Sequence, residues 1–294
     1  YDIRSFLSNE TGIGIYFKNL VNQIITSYDH RYYLLSASLK KRFDKRKLKL
    51  NSNVVLKDKR IPVSLLDLLW YRAKLLPFGF FFRQSMDLVH SPVPSLIPGR
   101  HKQIITVHDL CLVDSPELVN QDTISNFQHD LHESIEKADG IVAVSEFTKD
   151  RILSNFGNQY QSKIKVIYHG SDLDDIEETM PESSQPLPEK YLLYVGTIEP
   201  RKNISVLLRA IDDILGEHPD LKLLVCGNKG WESDQTYRLL EQKIIEKKVI
   251  HLPYSNRASL KYLYRNASLL LFPSIYEGFG LPILEAAHCG TSVA

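Results

Sequence analysis

Short apolar runs alternate along this chain with longer segments whose apolar residues recur every three or four positions. Ile104, Ile105, Thr106 and Val107 form a β-rich run that ends in polar His108 and Asp109. Residues 141–144 form a second run, ending at Ser145, and Ser145-Glu146-Phe147-Thr148 reads as a helix N-cap and first turn. Residues 163–168 predict a third strand, stopping at His169-Gly170, and residues 120–139 carry helical periodicity between. A βαβ rhythm of this kind predicts a parallel sheet with helices on both faces.

The texture then changes. Residues 171–189 are acidic and hold Pro181, Pro186 and Pro188. Such a stretch reads as a linker. Beyond it the rhythm restarts, with strands expected at 191–195, 221–226, 249–252 and 269–272, and helices at 203–215, 236–247 and 259–266. The reading is an α/β protein of two Rossmann-like domains facing across a cleft: 1–176, a linker at 177–189, and 190–294. In sheets of this type ligands sit outside the carboxyl ends of the strands, so the cleft is the expected site. The chain opens at Tyr1-Asp2-Ile3-Arg4, which reads as the tail of a strand, and closes at Gly290-Thr291-Ser292-Val293-Ala294, which reads as the start of one. The expectation is a fragment whose second domain is incomplete.

Composition narrows the class. Hydrophobic residues make up 43% and charged residues 24% of 294, a globular profile. A net charge of +1 gives no argument for a nucleic-acid partner. Cys111, Cys226 and Cys289 are scattered without metal-ligand spacing and read as reduced thiols of a cytoplasmic protein. No run reaches the roughly 18 apolar residues that a membrane span needs. The nearest, 65–82, reads as a core helix and contains Asp67, Arg72, Lys74 and Pro77. It follows a basic stretch at 40–49, so residues 40–82 are a candidate patch for peripheral contact with the anionic inner face of a plasma membrane.

The chemistry concentrates in Glu277-Gly278-Phe279-Gly280-Leu281-Pro282-Ile283-Leu284-Glu285. A strand, a glycine loop and a proline suited to a first helical turn leave backbone N–H groups free at a helix start, where a phosphate is stabilised. Gly278 and Gly280 allow the backbone close to a ligand. Glu277 stands just before the loop, placed to accept hydrogen bonds from sugar hydroxyls. Glu285 is expected in the first turn, where its two oxygens could grip a ribose diol.

This E-G-F-G-L-P-x-x-E segment resembles the signature of the retaining glycosyltransferases of family 4, which have the GT-B fold. Further segments resemble the family in its usual order: Gly12-Ile13-Gly14 with Tyr16, Val107-His108-Asp109-Leu110, Ser145-Glu146-Phe147-Thr148, residues 166–172, and residues 196–203 beginning at Gly196. The resemblance implies roles. Arg201 and Lys202 would neutralise the donor diphosphate as it leaves. Gly278, Phe279, Gly280 and Leu281 would hold phosphates through backbone amides, with Gly196 in the neighbouring loop. Glu277 would bind the transferred sugar and Glu285 the ribose. His108 would approach the sugar from the first domain, and Gly12 and Gly14 would form an acceptor-side loop. No metal and no cofactor is implied. The resemblance also implies that the acceptor's proton passes to the departing phosphate.

Two departures stand out. Thr197 occupies a position where many relatives carry arginine, and His169 replaces an asparagine common before Gly170. Residues 227–231 and the Glu-Pro-Arg-Lys-Asn run resemble bacterial mannosyltransferases of surface polysaccharides. The implied reaction moves mannose from GDP-mannose to a glycan or lipid-linked acceptor. The alternatives are a uridine-donor glucosyl or N-acetylhexosaminyl transferase and a catalytically silent nucleotide-sugar-binding module. A dinucleotide oxidoreductase is disfavoured, because Phe17 stands where the third glycine of its fingerprint would be. A pyridoxal-phosphate phosphorylase lacks a recognisable cofactor-lysine segment.

Overall fold

A computed structural model describes residues 1–7, 12–174, 176–183, 186–254 and 256–294, with the side chains of 125–129 outside the description. The chain divides into two compact units. The first comprises residues 1–113 and 122–169, the second residues 114–121 and 170–294.

In the first unit β1 (Tyr32–Ala37) pairs in parallel with β2 (Val54–Lys59), and Asp2 bridges to Leu35. A four-stranded parallel sheet runs in the order β3 (Leu88–Ser91), β4 (Lys102–Val107), β5 (Gly140–Ala143), β6 (Ile164–Val166). Val107 lies opposite Ala143, so His108 begins the loop at the carboxyl end of a central strand. The helices are α1 (Gly12–Ser27), α2 (Val63–Asp67), α3 (Cys111–Asp114), α4 (Gln121–Lys137) and α5 (Glu146–Phe156). Helix α1 buries Gly14, Phe17, Val21 and Ile25, spaced three, four and four residues apart. Each large member of that stripe contributes about 1.5–3 kcal/mol by leaving water. The cap expected of Ser145 is present: its hydroxyl accepts from the Thr148 amide at 3.0 Å.

One expectation fails in this unit. The core helix expected at 65–82 is broken into α2, a π-turn at Leu68–Arg72 and a 3-10 turn at Phe78–Phe82. Pro77 and the positive φ of Lys74 (52°) and Leu76 (66°) prevent a continuous helix. Leu66, Trp70, Phe78 and Phe81 are buried in the core there, with Tyr71, Leu76 and Phe82 packed against them, while Leu65, Leu68, Leu75 and Phe80 are exposed. The strand tail expected at residues 1–4 is present as a short parallel pairing: Asp2 bridges to Leu35, the Ile3 amide donates to the Leu35 carbonyl at 2.9 Å, and the chain then passes into a 3-10 turn at Arg4–Leu7.

In the second unit a four-stranded parallel sheet runs β10 (Leu269–Leu270), β7 (Tyr191–Val195), β8 (Lys222–Cys226), β9 (Val249–Leu252). Helices α6 (Ile204–Glu217), α7 (Asp234–Ile245), α8 (Arg257–Asn266) and α9 (Leu281–His288) accompany it. Strand β7 is buried at every position, as a central strand covered on both faces must be. Ser233 and Asn256 cap α7 and α8 by accepting from Thr236 and Ser259 amides at 3.2 and 2.9 Å. The segment after Gly170 packs on this unit. Leu173 is fully buried in its core, and the Lys261 ammonium donates to the carbonyls of Leu173 and Ile176 at 2.7 and 2.9 Å. Thr179 donates its amide to Ala258 at 3.2 Å. Among the described residues, no helix is long and apolar enough to cross a membrane.

Candidate functional site

The carboxyl ends of β7, β8 and β10 converge on a group of charged side chains. Gly196 follows β7 with φ of 155°, and its loop lies against the loop after β8. The contact is so close that a Cβ on Gly227 would meet the Gly196 carbonyl at 1.9 Å. Only glycine fits there. The chain then forms a 3-10 turn at Pro200–Lys202, which points Arg201 and Lys202 toward the segment after β10. Arg201 Nη1 donates to Glu277 Oε2 at 3.1 Å and to the Tyr276 carbonyl at 3.4 Å. Lys202 Nζ donates to the other oxygen, Glu277 Oε1. The Ile275 amide donates to the Arg201 carbonyl at 2.8 Å, pinning the two loops together.

These cations are not a solvated basic turn. Their side chains are 22% and 12% exposed, so each is held in place by its partners. Glu199, given no role from the sequence, completes the group. It is 4% exposed, and Oε1 lies 2.7 Å from Arg201 Nε. Burial raises its carboxyl above the ordinary range, against the pull of Arg201 and Lys202. Two carboxylates and two cations balance, so the group is neutral when both acids are ionised.

Gly280, with φ of 88°, ends the loop and starts α9. Leu281 is the first helical residue and Pro282 the second. The amides of Ile283 and Leu284 turn back onto the Gly280 carbonyl at 3.0 and 3.4 Å. An anion held by this helix start would therefore meet the amides of the loop at 278–281.

Because the helix begins at Leu281, Glu285 falls in its second turn, not the first as the sequence suggested. It is buried, and among the described residues each oxygen has one donor. Arg257 Nη1 donates to Oε1 at 2.5 Å, and Tyr264 Oη donates to Oε2 at 2.8 Å. Arg257 Nη2 also donates to Asp172. Asp174 pairs with His288 Nε2 at 2.7 Å, so each acid of the Asp172-Leu173-Asp174 run faces a basic side chain. Among the described residues no three His, Cys, Asp or Glu side chains gather as a metal site. The three cysteines are free thiols, Cys111 and Cys226 buried.

His108 belongs to the first unit and sits in a separate polar group. Its Nε2 is 2.9 Å from the Pro92 carbonyl, which can only accept, so Nε2 carries the proton. Its ring stacks on His169 at 5.6 Å and meets Tyr16 edge-on at 5.0 Å. Tyr16 Oη and His90 Nε2 both reach Thr106 Oγ1, at 3.0 and 2.9 Å. Burial holds the imidazoles of His90, His108 and His169 down at about 4. Gly12 and Gly14, expected as a loop, form the first turn of α1. The buried stripe through Phe17 and Val21 extends the helix back to Gly14, which is itself buried. Residues 8–11, just before, lie outside the described residues.

The sequence reading missed Glu199, Arg257, Tyr264, His90 and Thr106. Arg257 did carry a signal. It is a basic residue at the first position of α8, where the helix dipole disfavours a cation, and it follows the Asn256 cap.

Comparison with known proteins places these residues in context. The profile of Glycosyltransferase Family 4 matches residues 11–175, and that of Glycosyl transferases group 1 matches residues 175–294. The O-antigen chain mannosyltransferase B of Escherichia coli is 34% identical over 220 residues, covering 72% of this chain and 57% of that protein. The chain spans about half the length of the curated relatives it matches. Among solved structures, sucrose-phosphate synthase from Thermosynechococcus elongatus superposes with a TM-score of 0.71 at 19% identity, covering 100% of this chain and 79% of that one. WaaG, a glycosyltransferase involved in lipopolysaccharide biosynthesis, gives 0.67 at 14% identity, covering 100% and 78%. These likenesses show the two-domain GT-B fold.

Proposed function

The chain belongs to glycosyltransferase family 4, and on that premise we propose that its second unit binds a nucleotide-diphosphate sugar for hexosyl transfer. The observation that carries this reading is Glu277, held by Arg201 on one oxygen and Lys202 on the other, beside a glycine loop that opens a helix. Arg201 and Lys202 face the diphosphate and stabilise its charge as the bond from the anomeric carbon to the phosphate oxygen breaks. The amides of 278–281 take a second share of that charge. Glu277, oriented by both cations, accepts hydrogen bonds from the sugar's hydroxyls, and Glu285 accepts from the ribose. The acceptor oxygen attacks from the side the phosphate leaves, and its proton passes to the departing phosphate, which retains the anomeric configuration. With two fixed cations supplying the charge, the reaction proceeds without a metal. The donor is GDP-mannose and the acceptor a glycan or lipid-linked glycan, the mannose by analogy with the O-antigen chain mannosyltransferase B of E. coli.

Calorimetry on this chain with GDP-mannose and UDP-glucose tests the donor site. GDP-mannose should bind, and Arg201→Ala or Lys202→Ala should weaken it by about 1.5–3 kcal/mol, the worth of a hydrogen bond to a charged group. A preference for UDP-glucose would reassign the donor, and unchanged affinity in both variants would overturn the diphosphate assignment. Exposed Leu65, Leu68, Leu75 and Phe80, following basic residues 40–49, support a peripheral contact with anionic lipid. The chain should sediment with phosphatidylserine vesicles and stay in solution with neutral ones. Equal recovery with both would sink that contact.

A further inference from the structure

Arg257 breaks three local rules at once. It is a cation at the first position of α8, where the helix dipole opposes it. It stands on the face that buries Leu260, Leu263 and Tyr264, yet it is itself 7% exposed. Its Nε is buried with no hydrogen-bond partner among the described residues. A buried ion pair costs as much in desolvation as it returns, and an unmet donor adds to the cost. Stability alone does not account for an arginine here. Positions that violate local rules in a folded chain are where function is expected.

What Arg257 does is divide its guanidinium between two carboxylates. Nη1 holds Glu285 Oε1 at 2.5 Å, and Nη2 holds Asp172 on the segment that enters the second unit. Tyr264, seven residues on and so two turns along the same face, holds the other oxygen of Glu285 at 2.8 Å. Its phenol is pushed well above its ordinary range by burial and by Glu285, so it remains a proton donor. Thr291 donates to the Tyr264 carbonyl at 2.5 Å and fixes that residue in turn.

The result is a carboxylate clamped at both oxygens. A carboxylate offers about four acceptor positions, so one remains on each oxygen. The three charged side chains named here, Glu285, Asp172 and Arg257, sum to one negative charge when ionised. Such a group repels phosphate and favours neutral hydroxyls that donate. A vicinal diol, with two hydroxyls side by side, matches the two remaining positions.

We infer that Arg257 and Tyr264 are positioning residues that clamp Glu285 as a receptor for the ribose diol and so make the site select ribonucleotides over deoxyribonucleotides. The inference rests on the reading of Glu285 as the ribose-binding acid.

Calorimetry on this chain with GDP and 2′-deoxy-GDP, and with UDP and 2′-deoxy-UDP, reads the selection directly. The unmodified chain should favour the ribonucleotide by roughly tenfold or more. Arg257→Lys and Tyr264→Phe should each bring that ratio toward one, while affinity for inorganic diphosphate stays unchanged. A purely structural role would weaken every ligand alike and leave the ratio intact. Arg257→Lys keeps the charge, and Tyr264→Phe keeps the ring, so at least one should fold, as circular dichroism will show. Glu285→Gln separates the two ideas. If it abolishes the preference while the clamp variants retain it, the clamp is wrong and the ribose reading stands. If Glu285→Gln keeps the preference, or the unmodified chain has none, the ribose reading falls and the clamp with it.

Discussion

At the scale of residues, this chain keeps its chemistry in side chains that hold one another. Arg201 and Lys202 already carry Glu277 between them, so a diphosphate must share cations that are in place before it arrives. That is preorganisation: the donors need not reorient when charge develops. The histidine group of the first unit makes a different statement, about pH. His108 and His169 are held down at about 4, by burial first and, for His169, by the neighbouring His108. An unfolded histidine titrates near 6.5, so between about 6.5 and 4 the unfolded chain binds the extra protons. The stability these rings contribute is complete above about 6.5 and is lost as pH falls toward 4. Replacing His169 by Asn removes one such proton. Urea unfolding at pH 7 and pH 5 should then show a smaller loss of stability for His169→Asn than for the unmodified chain, by roughly 1–2 kcal/mol after discounting partial exposure. Equal losses would mean that the ring takes its proton as freely in the folded state as in the unfolded one.

At the scale of elements, the loops after β7 and β8 are the critical pair. Gly196 departs from the allowed range of other residues, and Gly227 has no room for a side chain. The amide of Gly227 donates to Leu252 at 3.0 Å and its carbonyl accepts from His251 Nε2 at 2.8 Å, so the residue cannot slide aside. Gly227→Ala must therefore push the Gly196 loop, and with it the turn carrying Arg201. Overpacking of this kind costs about 1–3 kcal/mol. The expected outcome is a melting temperature lower by several degrees together with weaker nucleotide binding. Gly216→Ala, at a glycine of α6 with open space around it, is the control and should leave both unchanged or raise stability slightly. A Gly227→Ala chain with unaltered melting and binding would show that the two loops are not coupled.

At the scale of the whole molecule, periodicity was a good guide wherever an element is decided by its own apolar pattern. Strands at 191–195, 222–226 and 249–252 fall within a residue of expectation, and so does the cap at Ser145. It failed where a few backbone angles decide, as at Lys74, Leu76 and Pro77, because a helix-like pattern there is cut by residues in conformations that a pattern does not encode. The site was legible in its motif residues and opaque in their supports. Glu277 and Glu285 announce themselves beside glycines; Glu199 lies in the family-like 196–203 segment but was given no role, and Arg257 and Tyr264 lie in a segment that reads as ordinary helix, so only the fold brings these three to the two acids. The division into units leads to a last expectation. The second unit has its own buried clusters, around Leu193, Leu224 and Tyr264 on one side of the sheet and Tyr194, Ile211 and Val225 on the other. Every residue proposed to touch the nucleotide lies in that unit. A ligand that binds the folded form at about a hundred times its Kd stabilises it by about 2.7 kcal/mol. That gain should appear where the contacts are made. Hydrogen exchange with saturating GDP should slow at 196–203, 257–264 and 277–288, whereas β4 and β5 of the first unit should exchange at their unliganded rates. Protection centred on β4 and β5, with none after residue 196, would move the nucleotide to the first unit and overturn the assignment of every residue proposed to hold it.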